Sequence, residues 1–117
     1  MIQFGVEHFL LYGGPVDMRK GTHGLSALVQ SGLGRNPANG EAFVFIGRRR
    51  DRLKVLFWQG GGFWLCQHRL ARGRFRLPEV RGADGKPCAV RLTQLEWQIL
   101  LEGLIVERSR RLPRFAG

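Results

Sequence analysis

Two short apolar segments separated by six residues constrain the fold of this chain more than any other feature. Residues 42–46 (AFVFI) and 53–58 (LKVLFW) are rich in β-branched and aromatic residues, which are typical of strands, and the short loop between them predicts a β-hairpin. A third segment, 63–67 (FWLCQ), follows a glycine-rich turn. We therefore expect an antiparallel meander of three strands. Residues 74–78 (RFRLP) are a candidate for a short fourth strand at its edge.

The segments on either side of this meander predict the other elements. Residues 7–13 (EHFLLYG) indicate a short strand that ends at GGP. A helix is expected within residues 16–32 (VDMRKGTHGLSALVQSG), with Asp17 or Thr22 as its N-cap. Its apolar positions are spaced for one helix face and are Leu25, Leu28 and Val29.

A second helix is predicted in residues 93–104, where Thr93 and Glu96 have the spacing of a capping box. Its expected apolar face consists of Leu95, Ile99, Leu100 and Leu104. A chain of 117 residues fits one domain. We predict a single compact α+β domain over residues 1–106, a small antiparallel three- to four-stranded β-meander packed with two main helices. Residues 107–117 are expected to form a basic, flexible tail.

The charge of the chain is strongly positive and unevenly distributed. The formal net charge is +10, from 19 Lys and Arg residues against 9 Asp and Glu residues. Residues 48–76 contain a single acidic residue, Asp51, and nine basic ones: Arg48, Arg49, Arg50, Arg52, Lys54, Arg69, Arg72, Arg74 and Arg76. Such a concentration points to an acidic partner, and DNA bound through its phosphate backbone is the partner we expect.

Strand alternation suggests how this charge is presented. One face of the second strand would carry Arg52, Lys54, Leu56 and Trp58, and the opposite face would carry Leu53, Val55 and Phe57 in the core. The first face is a candidate groove for a sugar-phosphate backbone. Trp58 is a candidate for stacking on a base, with burial in the core as the alternative. A solvated hairpin turn is also charged for reasons unrelated to binding, so both interpretations remain open at this stage.

The sequence contains no recognisable catalytic or metal-binding set. His8, His23 and His68 are not spaced as metal ligands on one helix, and the acidic residues form no cluster. Cys66 and Cys88 are far apart, which predicts reduced thiols rather than a disulfide framework. We expect neither an enzyme nor a bound cofactor or metal.

The location of the protein is predicted from what the sequence lacks. No apolar run approaches the ~20 residues of a membrane span, and we expect no signal peptide. These observations predict a cytoplasmic protein without a membrane partner, one that is associated with the chromosome if it binds DNA. Oligomeric state has no signal in the sequence.

Four stretches together resemble a known family. They are GPVDMRKGTHGLSALV, FVFIGRRRDRLKVLFWQGGGFWL, HRLARGRFRLP and LTQLEWQILLEGL. The chain is similar over about residues 9–104 to the TnpB or Orf2-type small accessory proteins of insertion-sequence family 66. The positions that match the family's motifs are Asp17, Met18, Arg19 and Lys20, then Arg48, Arg49, Asp51, Arg52 and Lys54, then Arg69, Leu70, Gly73, Phe75 and Pro78.

The resemblance implies an accessory role in DNA transposition, beside a separate and larger transposase. It implies no catalytic activity in this chain. Two roles remain open, DNA binding through the arginine-rich hairpin and the adjacent basic segment, or docking on the transposase as a protein adaptor. The chain departs from the family pattern at Ala71, where relatives often carry an acid, and in the tail after Gly103. For nucleic-acid contact we predict Arg48, Arg49, Arg52, Lys54, Arg69, Arg72, Arg74 and Arg76.

Overall fold

A five-stranded mixed sheet with helices on both faces organises the chain. The computed structural model describes residues 5–76 and 88–103. In chain order the elements are β1 (Phe9–Val16), α1 (Thr22–Ala27), β2 (Ala42–Gly47), β3 (Arg52–Gln59), β4 (Gly62–Arg69), β5 (Ala89–Leu92) and α2 (Gln94–Leu101). The strand order across the sheet is β4-β3-β2-β1-β5. The α+β class predicted from the sequence is confirmed.

The predicted meander is only part of this sheet. β2, β3 and β4 are antiparallel neighbours, as expected. However, β1 pairs in parallel with β2, and β5 pairs antiparallel with β1. The prediction of a purely antiparallel sheet of three to four strands was therefore wrong. The parallel pair was missed because its connection runs through α1 and leaves no short turn signal, and β5 has only four residues.

The predicted edge piece at residues 74–78 is not a strand within the described part of the chain. Only Arg76 has an isolated bridge, and residues 77 and 78, including the motif residue Pro78, lie outside the described residues. The domain boundary predicted at residue 106 and the tail 107–117 also lie outside them.

The first helix is shorter than predicted and is capped differently. α1 begins after Gly21, which provides no side-chain cap, so neither Asp17 nor Thr22 is the N-cap. Asp17 instead accepts a hydrogen bond from the backbone N–H of Arg19 at 2.9 Å. A π-helical turn at Leu28–Gly32 follows α1. Asp17 was mispredicted because a side chain that accepts from an amide two residues later fits a turn as well as a helix start.

Each face of the sheet has its own apolar core. The face covered by α1 buries Leu10, Val16, Leu25, Val29, Phe43, Phe45 and Leu56. The face covered by α2 buries Phe9, Leu11, Ala42, Val44, Ile46, Leu53, Val55, Phe57, Phe75, Leu92, Trp97 and Leu100. β2 contributes to both cores and is buried along its whole length, which explains its continuous apolar sequence.

The second helix begins at the predicted capping box. The backbone N–H of Glu96 donates to Thr93 Oγ1 at 3.1 Å, and the N–H of Thr93 donates to Glu96 Oε1 at 2.7 Å. The predicted apolar face is confirmed at Leu100, which is buried, and was wrong at Leu95, which is 45% exposed. Trp97, which was not predicted, also faces the sheet, and its ring stacks on Phe9 at 4.6 Å. Leu104 lies outside the described residues.

Candidate nucleic-acid interface

The turn between β2 and β3 exposes three consecutive arginines, Arg48, Arg49 and Arg50. The backbone N–H of Arg50 donates to the carbonyl oxygen of Gly47 at 2.9 Å and closes the turn. Arg50 has a φ of 63°, a left-handed conformation that costs a residue with a side chain about 1–2 kcal/mol. The turn therefore keeps an arginine at a position where glycine is favoured.

The second basic segment is hydrogen-bonded to this turn through its backbone. The N–H of Leu70 donates to the carbonyl oxygen of Asp51 at 2.8 Å, and the N–H of Phe75 donates to that of Arg50 at 2.6 Å. The Phe75 ring is buried in the core on the α2 side, and Gly73, at φ 76°, lets the segment turn between these anchors. The two basic segments thus lie side by side at one end of the sheet.

We call the exposed arginine side chains of this region, together with half-buried Arg52, the basic end. Its members are Arg48, Arg49, Arg50, Arg52, Arg69, Arg72, Arg74 and Arg76. None of them forms an ion pair with a carboxylate of the described residues. Asp51 forms no ion pair with them among the described residues, and its Oδ1 is buried and accepts no hydrogen bond from this part of the chain.

Two members of the basic end face each other directly. Arg52 of β3 is the cross-strand partner of Arg69 of β4, so two positive side chains lie on the same face of neighbouring strands. Like charges in this arrangement destabilise a sheet. An anion bound between the two guanidinium groups would relieve the repulsion.

The prediction of a groove along β3 was wrong for the middle of the strand, at Lys54 and Leu56. Leu56 is fully buried because α1 packs against this face of the sheet. Lys54 is half-buried, and its Nζ donates to the backbone oxygen of Lys20 at 2.8 Å. Lys54 therefore secures the segment before α1, and we leave it out of the basic end.

Trp58 lies away from the basic end. It is six residues along β3 from Arg52, about 20 Å at the usual rise per residue. Its side chain is 37% exposed and packs edge-to-face on Phe63 at 4.9 Å between ring centroids. Of the two predicted interpretations, complete burial in the core was wrong, and base stacking at Trp58 remains a prediction separate from the basic end.

The motif residues 17–20 fix the base of the hairpin. Met18 packs so closely on Gly47 that a Cβ at Gly47 would lie 2.5 Å from Met18 Cγ. Asp17 and Arg19 form an ion pair with a 2.8 Å contact on the surface. The hydrogen bond from the Arg19 side chain holds the pKa of the Asp17 carboxyl well below its usual range. These contacts give the run a structural role.

Other groups that often carry chemistry are dispersed. Among residues 5–76 and 88–103, no group of three or more His, Cys, Asp or Glu could hold a metal ion. His68 Nε2 lies 3.2 Å from the backbone oxygen of Leu101 and connects β4 to α2. Burial raises the pKa of the Cys66 thiol.

None of the helices in residues 5–76 and 88–103 has the length and apolar character that a membrane span requires.

Arg50 is the member of the basic end that the sequence prediction left out. It was excluded because it does not match a motif position, and a single sequence does not reveal that its backbone would be left-handed. The only available signal was its place in an uninterrupted run of three arginines. The other predicted arginines all lie in the basic end.

A family model and two relatives match most of the chain. The family model described as IS66 Orf2 like protein matches residues 7–111. An uncharacterized protein of Sinorhizobium fredii, y4jC, is 40% identical over 99 residues, which cover 85% of this chain and 80% of that protein. A second protein of the same strain, y4hO, is 38% identical over 91 residues, covering 78% of this chain and 75% of its own length. No solved structure matches the chain.

Proposed function

The chain belongs to the IS66 Orf2-like family of transposition-associated accessory proteins, and on this premise we propose that it binds DNA, without catalysing a reaction, through the basic end. The observation that carries the proposal is the pair of backbone hydrogen bonds from Leu70 and Phe75 to the hairpin turn. They bring together arginines from two separate parts of the chain.

The chemistry of the basic end suits a phosphate backbone. Arginine presents a planar set of donors that matches phosphate oxygens, and its charge is retained at any physiological pH. The guanidinium groups of the basic end form no ion pairs within residues 5–76 and 88–103, so no such pair in this part of the chain must break before they contact DNA. Contacts of this kind position a protein on DNA and do not read its sequence, so we expect similar affinity for many sequences.

Salt dependence tests the proposal. If about six arginines contact phosphates, the slope of log affinity against log salt for duplex DNA is about −5, equivalent to a loss of roughly 10³-fold between 50 and 200 mM salt. The measurement is fluorescence anisotropy of a labelled duplex carrying the ends of the element, beside an unrelated duplex of the same length. Absence of binding at 50 mM salt, or a slope near zero, overturns the proposal.

Docking on the separately encoded transposase is a second candidate function, favoured by one observation. Leu95 of α2 and Trp58 of β3 are large apolar side chains, 45% and 37% exposed, and exposed side chains of this kind are common at protein interfaces. Co-purification of the two proteins from a nuclease-treated lysate tests it. A complex that is lost on nuclease treatment, or that survives Leu95→Asp and Trp58→Ala together, contradicts docking through these side chains.

A further inference from the structure

A cleft of about 170 Å³ opens beside the hairpin turn. It is lined by Leu11, Tyr12, Gly13, Gly14, Pro15, Ile46, Gly47, Arg48, Arg50 and Phe75. All of these residues belong to β1, to the end of β2 and its turn, or to the segment anchored on that turn. The cleft therefore lies where the two basic segments meet the C-terminal half of β1.

The part of β1 that lines the cleft is irregular. Leu11 pairs with Val44 and Pro15 pairs with Ile46, so three residues of β1 lie opposite a single residue of β2. The extra residues bulge away from the parallel ladder. Two of them are glycines, Gly13 and Gly14, which place backbone rather than side chains at the wall.

The lining combines two kinds of surface. The apolar part of the lining consists of exposed Pro15 and of three core side chains on the α2 side, Leu11, Ile46 and Phe75, which are 1–9% exposed. Arg48 and Arg50 supply positive charge from the exposed turn. A ligand that matches both has a flat apolar body and an anionic group, and a nucleotide has this form. Phosphate alone would leave the apolar part unoccupied.

We propose that this cleft binds one unstacked pyrimidine nucleotide, with its phosphate at Arg48 and Arg50 and its base over the apolar lining. The volume is compatible with the choice, because an enclosed cavity of about 150 Å³ accommodates a benzene-sized ring, although this cleft is open on one side. A pyrimidine ring is close to that size, and a purine is larger. The chemistry of the ligand is independent of the proposed function. Only its source, a DNA strand rather than a free nucleotide, rests on that function.

Titration with free nucleotides, followed by NMR of backbone amides in the full-length protein, tests the cleft. The probes are dTMP, dAMP, thymidine and inorganic phosphate. We expect dTMP to shift the amide signals of Gly13, Gly14 and Gly47 and to bind at least threefold more tightly than dAMP. Equal affinities for dTMP and inorganic phosphate identify an anion site only and overturn the proposal. Shifts confined to other regions also overturn it.

Two variants of Arg50 distinguish nucleotide binding in the cleft from nonspecific attraction to the positive charge of the protein. Arg50→Gly and Arg50→Asn remove the guanidinium, and both residues tolerate the left-handed backbone at this position. We expect each to weaken dTMP binding at least fivefold. Arg35→Ala removes the same charge at a distant ion pair with Glu41 and is expected to leave dTMP binding unchanged. An equal loss in Arg35→Ala and the Arg50 variants contradicts the proposal.

A third comparison identifies the source of the nucleotide and keeps the two proposals distinguishable. If the cleft takes nucleotides from a DNA strand, oligo-dT binds more tightly than oligo-dA, and excess dTMP removes this preference. If it takes free nucleotides, dTMP binds while the two oligonucleotides bind equally. The cleft proposal fails if dTMP does not bind, even when duplex binding keeps its salt dependence. The proposed function fails if duplex does not bind, whatever dTMP does.

Discussion

The backbone N–H of Phe75 donates to the carbonyl oxygen of Arg50 at 2.6 Å, and this bond joins two basic segments that the sequence separates. It couples two unusual features, a buried aromatic ring that anchors an arginine-rich segment and an arginine held at φ 63°. Because the bond uses backbone atoms, it positions the neighbouring arginines without occupying their guanidinium groups.

Removal of the Phe75 ring should detach the second segment. Phe75→Ala deletes a side chain that is 1% exposed, and such changes cost about 3–5 kcal/mol in the free energy of unfolding. Phe75→Leu keeps most of the apolar volume and should cost clearly less. Urea unfolding measures both. A cost below 1 kcal/mol for the alanine variant would show that the ring does not anchor the segment.

The contact between Met18 and Gly47 should be sensitive to a single added methyl group. Gly47→Ala places a Cβ 2.5 Å from Met18 Cγ, and overpacking of this kind costs about 1–3 kcal/mol. In the double variant Gly47→Ala/Met18→Ala the clash is absent, so the two changes should cost less together than the sum of the single changes. Additive costs in a urea-unfolding cycle would contradict the assigned contact.

The ion pair between Asp17 and Arg19 should stabilise the fold only while Asp17 is ionised. The Arg19 side chain lowers the pKa of Asp17 in the folded protein. This stabilisation is therefore complete above the unfolded pKa of about 3.9 and is lost as the pH falls through the lower folded value.

Asp17→Asn isolates this effect, because the amide oxygen can still accept from the backbone N–H of Arg19. The wild type should have the higher urea midpoint at pH 7 and at pH 5, and the difference should shrink below pH 4. The effect should be small because both side chains are exposed. A difference that stays constant down to pH 2 would contradict the assigned ionisation.

The left-handed conformation of Arg50 predicts a stabilising substitution. Arg50→Gly should raise the free energy of unfolding by about 1 kcal/mol, because glycine adopts positive φ without a steric penalty. Arg50→Ala is the matched control, since it removes the same charge and keeps the Cβ. Equal stabilities of the two variants in urea unfolding would show that the backbone at this position is relaxed.

Local patterns predicted the local elements of this fold. The apolar segments of the hairpin and the spacing of Thr93 and Glu96 identified β2, β3, β4 and the start of α2, because strand alternation and capping act between near neighbours. The parallel pairing of β1 with β2 was not predictable in this way. It depends on contacts across the whole crossover through α1, which no turn residue marks.

The candidate site was predictable in its charge but not in its arrangement. The arginine runs were visible in the sequence, and strand alternation placed Lys54 on the same face as Arg52. Alternation alone does not reveal that α1 covers that face and engages Lys54 at the Lys20 backbone. The cleft beside Gly13 and Gly14 depends on the bulge in β1, and a glycine pair by itself does not specify one.

The most direct test of the basic end compares two charge-matched variants by the salt dependence of duplex binding. Arg48/Arg49→Ala removes two members of the basic end, and Arg35/Arg91→Ala removes two arginines that are ion-paired with Glu41, at the other end of β2. The first variant should bind more weakly, and the magnitude of its log–log salt slope should fall by about 2. The second should retain the wild-type slope. Equal slopes for the two variants would contradict a DNA contact at the basic end.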